Sequence, residues 1–256
     1  MDMVVRRVRG CHPSGAVWPS TPQMESDLPF DLPLYTISTW IIPALLAITL
    51  HEAAHGYAAH LLGDDTAWRL GRVTLNPLKH VDPFGTVVLP ALLLLTGAPF
   101  LFGYAKPVPV QFRALRHPRR DMVWVAAAGP GMNILLASIA GLLFHLVGYL
   151  PLEASEWIAQ NLVNAIELNV ILAVFNMIPL PPLDGGRVAV GLLPNALARP
   201  LASLERYGML IVFGVLFFLP VVAPLLGFNA NFFFRTIMQA ADAVIRVILQ
   251  VTGNVP

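Results

Sequence analysis

The chain has 256 residues, of which 56% are apolar and only 12% are Asp, Glu, Lys or Arg, with a mean hydropathy of +0.67. A soluble domain is about 25% charged, which excludes a soluble enzyme and a disordered chain, and a lone cysteine, Cys11, excludes a secreted disulfide scaffold. A net charge of +1 gives no electrostatic case for nucleic acid, whereas the apolar runs fit an all-α polytopic membrane protein of about four to six transmembrane helices.

Residues 1–33 mix Arg6, Arg7 and Arg9 with Pro13, Pro19, Pro22, Pro29 and Pro33 and hold no signal-peptide core, so they read as a flexible tail. From 34 to 62 the chain is apolar apart from Ser, Thr and the cluster His51-Glu52-Ala53-Ala54-His55. This predicts one long helix, bent at Pro43 and stopped at Asp64-Asp65. A polar stretch, 63–83, leads into an apolar segment, 84–102, broken by Gly85, Pro90, Gly97 and Pro99. The loop 103–121 is basic, with Lys106, Arg113, Arg116, Arg119 and Arg120. Helices are predicted at 122–149, 160–180 and 207–227, and a weaker one at 233–252, where Phe232-Phe233-Phe234-Arg235 reads as an interfacial anchor.

Lys and Arg in short loops mark the cytoplasmic side. Loop 103–121 holds five and stretch 185–206 holds three, while 150–159 holds none. The first two are therefore placed in the cytoplasm and the third outside. Loop 63–83 is also positive, and two neighbouring loops share a side only if 84–102 does not cross. That segment is read as a membrane-embedded hairpin, with an ordinary span as the competing model.

His51 and His55, four apart on a helix, lie ~40° apart on one face and ~6 Å apart along the axis. Two imidazoles so placed can share a zinc ion. Glu52, one residue on, faces too far round to join the same ligand set but can take a proton from a metal-activated water. Ionisable groups inside an apolar span are costly and survive mainly at functional sites. A catalytic zinc has three protein ligands, and the candidate for the third is Asp184. It follows Pro179, Pro181 and Pro182, which end the preceding helix, and Gly185-Gly186 are expected to let the chain turn sharply there. The loop charges put the C-terminal ends of 34–62 and 160–180 on one side, so the three side chains can meet. Asn176, just before the proline break, can bond a substrate carbonyl or stabilise an oxyanion. Asn133 reads either as a packing residue or as a catalytic one. His60, His80, His117 and His145 read as structural or solvated.

His51-Glu52-Ala-Ala-His55 inside a span, Gly129-Pro130-Gly-Met-Asn133, and Asn176 followed by Pro179 and Asp184-Gly185 together resemble the site-2 protease family of intramembrane zinc metalloproteases. Leu75-Asn-Pro-Leu-Lys-His80 and Gly103-Tyr-Ala-Lys-Pro-Val-Pro-Val110 are similar to stretches in its compact bacterial and archaeal members, without PDZ or CBS domains. The resemblance covers about 34–227. It implies one zinc per chain on His51, His55 and Asp184, with Glu52 as general base or acid. It also implies a membrane-embedded metalloprotease domain, 34–256, whose three-helix catalytic core (about 34–62, 122–149 and 160–180) is reached by water from the cytoplasmic side of the cell membrane. The expected partners are a transmembrane protein substrate and the lipid bilayer; nothing in the residues indicates an oligomeric state. Two other readings compete: a metal transporter, which needs more ligands along a crossing path than His145 alone, and a non-proteolytic membrane protein of the same ancestry, which is expected to have lost Glu52.

Overall fold

The computed structural model describes residues 34–95, 103–225 and 231–254. The expected tail at 1–33 and the distal part of the expected hairpin, 96–102, lie outside the described residues. Every regular element among the described residues is helical.

The first helix, α1, is Leu34–Leu61. It stops because Gly63 turns left-handed, at φ +110°, which leaves Gly63 N–H on the His60 carbonyl and Asp64 N–H on that of Ala59. The buried Asp64 carboxylate then accepts from the N–H and hydroxyl of Thr66 and from the N–H of Gln111, tying the end of α1 to the distant segment 103–111. His60 stacks on Trp68 and bonds Asp65, whose carboxyl it holds below the ordinary carboxylate range.

Helix α2, Pro118–Leu143, begins at Pro118 rather than at 122. Proline is preorganised for the first helical position, and the Asp121 carboxylate accepts the N–H of His117 at 2.8 Å, satisfying an orphan donor of the first turn. A 3-10 stretch, Phe144–Tyr149, extends it to the predicted end. Helix α3 is Leu152–Asn176, not 160–180. Pro151 sets its start, so the expected loop 150–159 shrinks to two residues, and the helix stops short of Pro179, Pro181 and Pro182 because these lack the N–H that would continue it. Six further helical pieces follow among the described residues: α4 (Asp184–Leu192), α5 (Asn195–Ser203), α6 (Glu205–Phe213), a π-helical stretch (Gly214–Phe218), Leu219–Leu225, and α7 (Asn231–Val251).

Three of the described helices are long and apolar enough to cross a membrane, Tyr35–Leu61, Pro118–Tyr149 and Ala154–Asn176, and a fourth span results if Asn195–Ser203 and Glu205–Phe218, bent by 60°, count as one. Residues 83–95 are helical but too short to cross alone. Helices α1, α2 and α3 all touch one another, α4 lies on α2, and α7 lies on α3 and α2. Ala137 and Ala140 of α2, Ile166 and Val170 of α3, and Ala241, Ile245, Ile248 and Leu249 of α7 form the main core. Large apolar side chains point outward as well, among them Ile41, Leu45 and Leu46 on α1 and Leu135, Ile139 and Leu142 on α2. Such a surface is uneconomical in water and natural against lipid tails. At the other end of α2, Gly191 lets α4 approach closely: a Cβ there would lie 2.3 Å from Val123 Cγ2. Arg119 donates to the Gly191 and Leu193 carbonyls and to Asn195 Oδ1, closing the C-terminal end of α4.

Candidate metal centre

His51 and His55 project from successive turns of α1, and Asp184 is the first residue of α4; all three are buried. Their ligand atoms form a nearly equilateral triangle. Nε2 of His51 and Nε2 of His55 are 3.0 Å apart, and Asp184 Oδ2 lies 3.2 Å from the first and 3.3 Å from the second. A tetrahedral zinc with bonds of ~2.0–2.1 Å needs ligand atoms roughly 3.3–3.4 Å apart. The triangle is therefore one face of such a tetrahedron, slightly contracted.

The hydrogen bonds behind the rings fix which nitrogens face the triangle. His55 Nδ1 lies 2.7 Å from the Val125 carbonyl, which only accepts, so Nδ1 carries the proton. His51 Nδ1–H likewise donates to Asn133 Oδ1 at 2.5 Å. Both Nε2 atoms therefore face Asp184 Oδ2, which is buried with no other hydrogen-bond partner, and in the neutral rings both present lone pairs. Three buried ligand atoms converging within 3.3 Å need positive charge among them, which a metal ion supplies with all three as ligands. The donor set, two imidazoles and one carboxylate, suits zinc.

The backbone leaves room for this cluster because Gly129 has no side chain. A Cβ there would lie 2.4 Å from His55 Nε2 and 2.6 Å from His51 Nε2. Asp184 arrives by a related device. The sequence suggests a sharp turn at Gly185-Gly186 with Asp184 in non-helical backbone; instead these residues open α4, and neither glycine has positive φ. Their smallness serves contact. A Cβ on Gly185 would lie 2.2 Å from the Met177 carbonyl oxygen, and one on Gly186 2.2 Å from Pro181 N, so α4 folds directly back onto the chain leaving α3. Gly208 of α6 closes over the same turn, its virtual Cβ 2.2 Å from the Pro181 carbonyl oxygen.

Glu52 stands beside the pair, half-buried, and its Oε2 accepts the Val108 N–H at 2.7 Å. Val108 sits between Pro107 and Pro109 in an extended segment held at alternate residues: Tyr104 N–H bonds Gly85 and Lys106 N–H bonds His80, while Arg72 donates to the Lys106 and Pro107 carbonyls. Asn133 is fully buried behind His51 rather than exposed to a substrate path. Asn176 bonds the Leu172 carbonyl of its own helix at 3.0 Å. Of the remaining histidines, His80 bonds the Thr74 carbonyl, His145 that of Thr252, and His117 lies 3.8 Å from Asp121.

Two participants escape the sequence reading. Val108 acts through its backbone, which leaves no side-chain signature. Asn169, whose amide oxygen accepts from Asn133 Nδ2 at 2.7 Å, is one of several amides on α3. A buried amide in an apolar helix must find a partner, and that rule would have marked Asn169.

Comparison with known proteins finds relatives named as zinc metalloproteases. Residues 152–220 match the model of Peptidase family M50. The chain is 39% identical over 221 residues to the "Putative zinc metalloprotease YwhC" of Bacillus subtilis (strain 168), covering 85% of this chain and 97% of that protein. It is 30% identical over 169 residues to the "Putative zinc metalloprotease Rip2" of Mycolicibacterium smegmatis, covering 66% of this chain and 62% of that protein. The Mycobacterium tuberculosis (strain H37Rv) protein of the same name is 29% identical over 178 residues, 70% and 66% of the two chains. No solved structure matches the chain.

Proposed function

From the premise that the chain belongs to peptidase family M50, the site-2 proteases, and is a membrane zinc metalloprotease, we propose that His51, His55 and Asp184 hold its single zinc ion and that Glu52 is its general base. The observation that carries the ligand assignment is the buried triangle of His51 Nε2, His55 Nε2 and Asp184 Oδ2, with edges of 3.0, 3.2 and 3.3 Å, seated over Gly129. The substrate is a membrane-tethered protein cut within or beside a transmembrane helix, because α1 carries the site inside an apolar span. The site opens toward the cytoplasm, on the argument from Lys and Arg in the loops.

Zinc supplies a Lewis acid that polarises the scissile carbonyl and acidifies water. The chain supplies the rest. Glu52 receives the proton that the attacking water gives up and returns it to the leaving amide nitrogen. Val108 N–H holds one carboxylate oxygen of Glu52, and the other is the one assigned to take the proton. Asn133 and the Val125 carbonyl keep both imidazoles turned with Nε2 inward. A substrate helix hides its own amides in hydrogen bonds, so it must unwind locally before attack, and helix-breaking residues near the cleaved bond should speed the reaction.

The test is cleavage of transmembrane peptides by purified protein and by Glu52→Gln at equal zinc content. The substitution should retain zinc and lower kcat by at least about 100-fold, the usual worth of a positioned acid–base group. Equal activity of the two would remove Glu52 from the mechanism. Asp184→Ala should lose stoichiometric zinc, and retention would remove Asp184 from the ligand set.

A further inference from the structure

We propose that Asn169 of α3 is a positioning residue for the metal centre: it sets the direction of the Asn133 amide and, through it, the tautomer of His51. The inference rests on the ligand assignment above. A chain of three hydrogen bonds carries it. Asn169 Nδ2 donates to the Ala165 carbonyl at 2.8 Å, Asn133 Nδ2 donates to Asn169 Oδ1 at 2.7 Å, and His51 Nδ1–H donates to Asn133 Oδ1 at 2.5 Å.

The direction of this chain follows from its far end. A backbone carbonyl has no proton, so the Asn169 atom facing Ala165 must be the amide nitrogen. Its oxygen then faces Asn133, which must answer with its own nitrogen. That leaves only the Asn133 oxygen for His51, and an oxygen at that position accepts, so the imidazole proton stays on Nδ1. In the neutral ring, Nε2 is thereby kept as a lone pair toward the triangle. Reverse any one amide and the relay breaks at two places. Asn133 and Asn169 are both buried, at 0% and 2% exposure, so water cannot stand in for a missing partner. Asn133 Nδ2 has one other acceptor, the Ala47 carbonyl at 3.4 Å, beyond the usual range of a good N–H···O bond. Without Asn169, the amide of Asn133 gains freedom to present its nitrogen to His51, which would favour the tautomer that cannot bind metal.

The experiment is zinc affinity, read by chelator competition on the purified full-length protein in detergent, with helix content from circular dichroism. Asn169→Leu keeps the volume and removes the acceptor. Outer hydrogen-bond partners of ligating histidines are worth about 10–100-fold in metal affinity, and Asn169 lies one bond further out, so zinc should bind about 10-fold more weakly. Asn169→Asp keeps an oxygen toward Asn133 and can donate a carboxyl proton to Ala165, so it should bind zinc nearly as wild type does. Asn169→Ser gives a second probe should the leucine variant fold poorly: its hydroxyl can satisfy the Ala165 carbonyl on its own helix but does not reach Asn133, and it should behave as N169L. In an Asn133→Ala background the N169L effect should vanish. A purely structural role predicts altered thermal stability with unchanged zinc affinity and no difference between N169D and N169L. Wild-type affinity in folded N169L or N169S, or an undiminished effect beside N133A, overturns the proposal. Failure of the wild type itself to bind stoichiometric zinc overturns the ligand assignment instead.

Discussion

Replacing Gly129 with alanine adds one methyl group to α2, and its position is fixed by the helix backbone. It would lie 2.4 Å from Nε2 and 2.6 Å from Cε1 of His55, and 2.6 Å from Nε2 of His51. Non-bonded heavy atoms sit ~3.5 Å apart or more, so the overlap is about 1 Å and falls on the two nitrogens that face Asp184. Metal–ligand distances tolerate about 0.2 Å. The rings must swing away or α2 must part from α1, and either movement spoils the triangle. Misplacement by ~1 Å costs on the order of 100-fold in a catalytic site, and overpacking costs about 1–3 kcal/mol of stability. Gly131→Ala is the matched control: two residues along the same helix, a Cβ there meets nothing within 4 Å, so it should change stability by at most about 1 kcal/mol. The assay is zinc per chain by elemental analysis, peptide cleavage, and thermal melting of both variants beside the wild type. G129A should be helical, zinc-poor and inactive, and G131A indistinguishable from wild type. A G129A protein that holds one zinc per chain and cleaves at the G131A rate would refute the cradle argument.

Gly208→Ala should act from the far side of the site: its Cβ would lie 2.2 Å from the Pro181 carbonyl oxygen and 2.3 Å from Pro182 Cδ, so α6 must lift from the turn that delivers Asp184. A loss of about 1–3 kcal/mol, seen in thermal melting, should accompany weaker zinc binding by chelator competition; unchanged melting would show that α6 does not press on this turn. A ligand that binds only the folded state stabilises it by about 4 kcal/mol at a thousandfold excess over its Kd. Stripping zinc with a chelator should therefore lower the Tm of the wild type, and leave Asp184→Ala unmoved. Equal shifts in both would place the stabilising metal elsewhere.

The parts of this molecule legible in the sequence are those with a side-chain period or a costly residue. His51 and His55 at helical spacing inside an apolar run announce themselves because burying them without a purpose is expensive. Asp184 stands out by its place after three prolines and by loop charges that bring two helix ends to one side. The helix boundaries were less legible. Pro118 and Pro151 begin helices, yet in a string of residues they read as loop, because proline breaks a helix interior and starts a helix equally well. Gly185 and Gly186 carry the opposite lesson: the usual reading of paired glycines is conformational freedom, whereas here the requirement is the absence of a Cβ against Met177 and Pro181. Contacts of that kind depend on which backbones meet, and no local pattern encodes it. Val108 was invisible for the same reason, since its partner lies 56 residues away, whereas Asn169 was legible as a buried amide in want of a partner but not as the partner of Asn133, 36 residues away.

The charge of the proposed centre explains why so polar a cluster is tolerable between apolar helices. Two neutral imidazoles and one carboxylate leave a divalent ion with one uncompensated positive charge. Glu52, in the same turn of α1, would cancel it in the role of general base proposed above, so the whole assembly would be neutral and avoid most of the cost of burying net charge. The residual positive charge within the ligand set also keeps the ion electrophilic, which a second ligating carboxylate would blunt. This balance depends on both histidines turning Nε2 toward the ion, and the protein orients them from behind, with the Val125 carbonyl on one ring and the Asn133 amide on the other. Neither partner is a carboxylate, so the rings receive a fixed proton position without extra negative charge. On the proposed mechanism, proton transfer from water to Glu52 and on to the leaving nitrogen would stay inside a neutral unit. The reaction moves charge over a few ångströms and never brings a net ion into the bundle, which is the condition for running hydrolysis among helices whose outer faces are Ile, Leu and Phe.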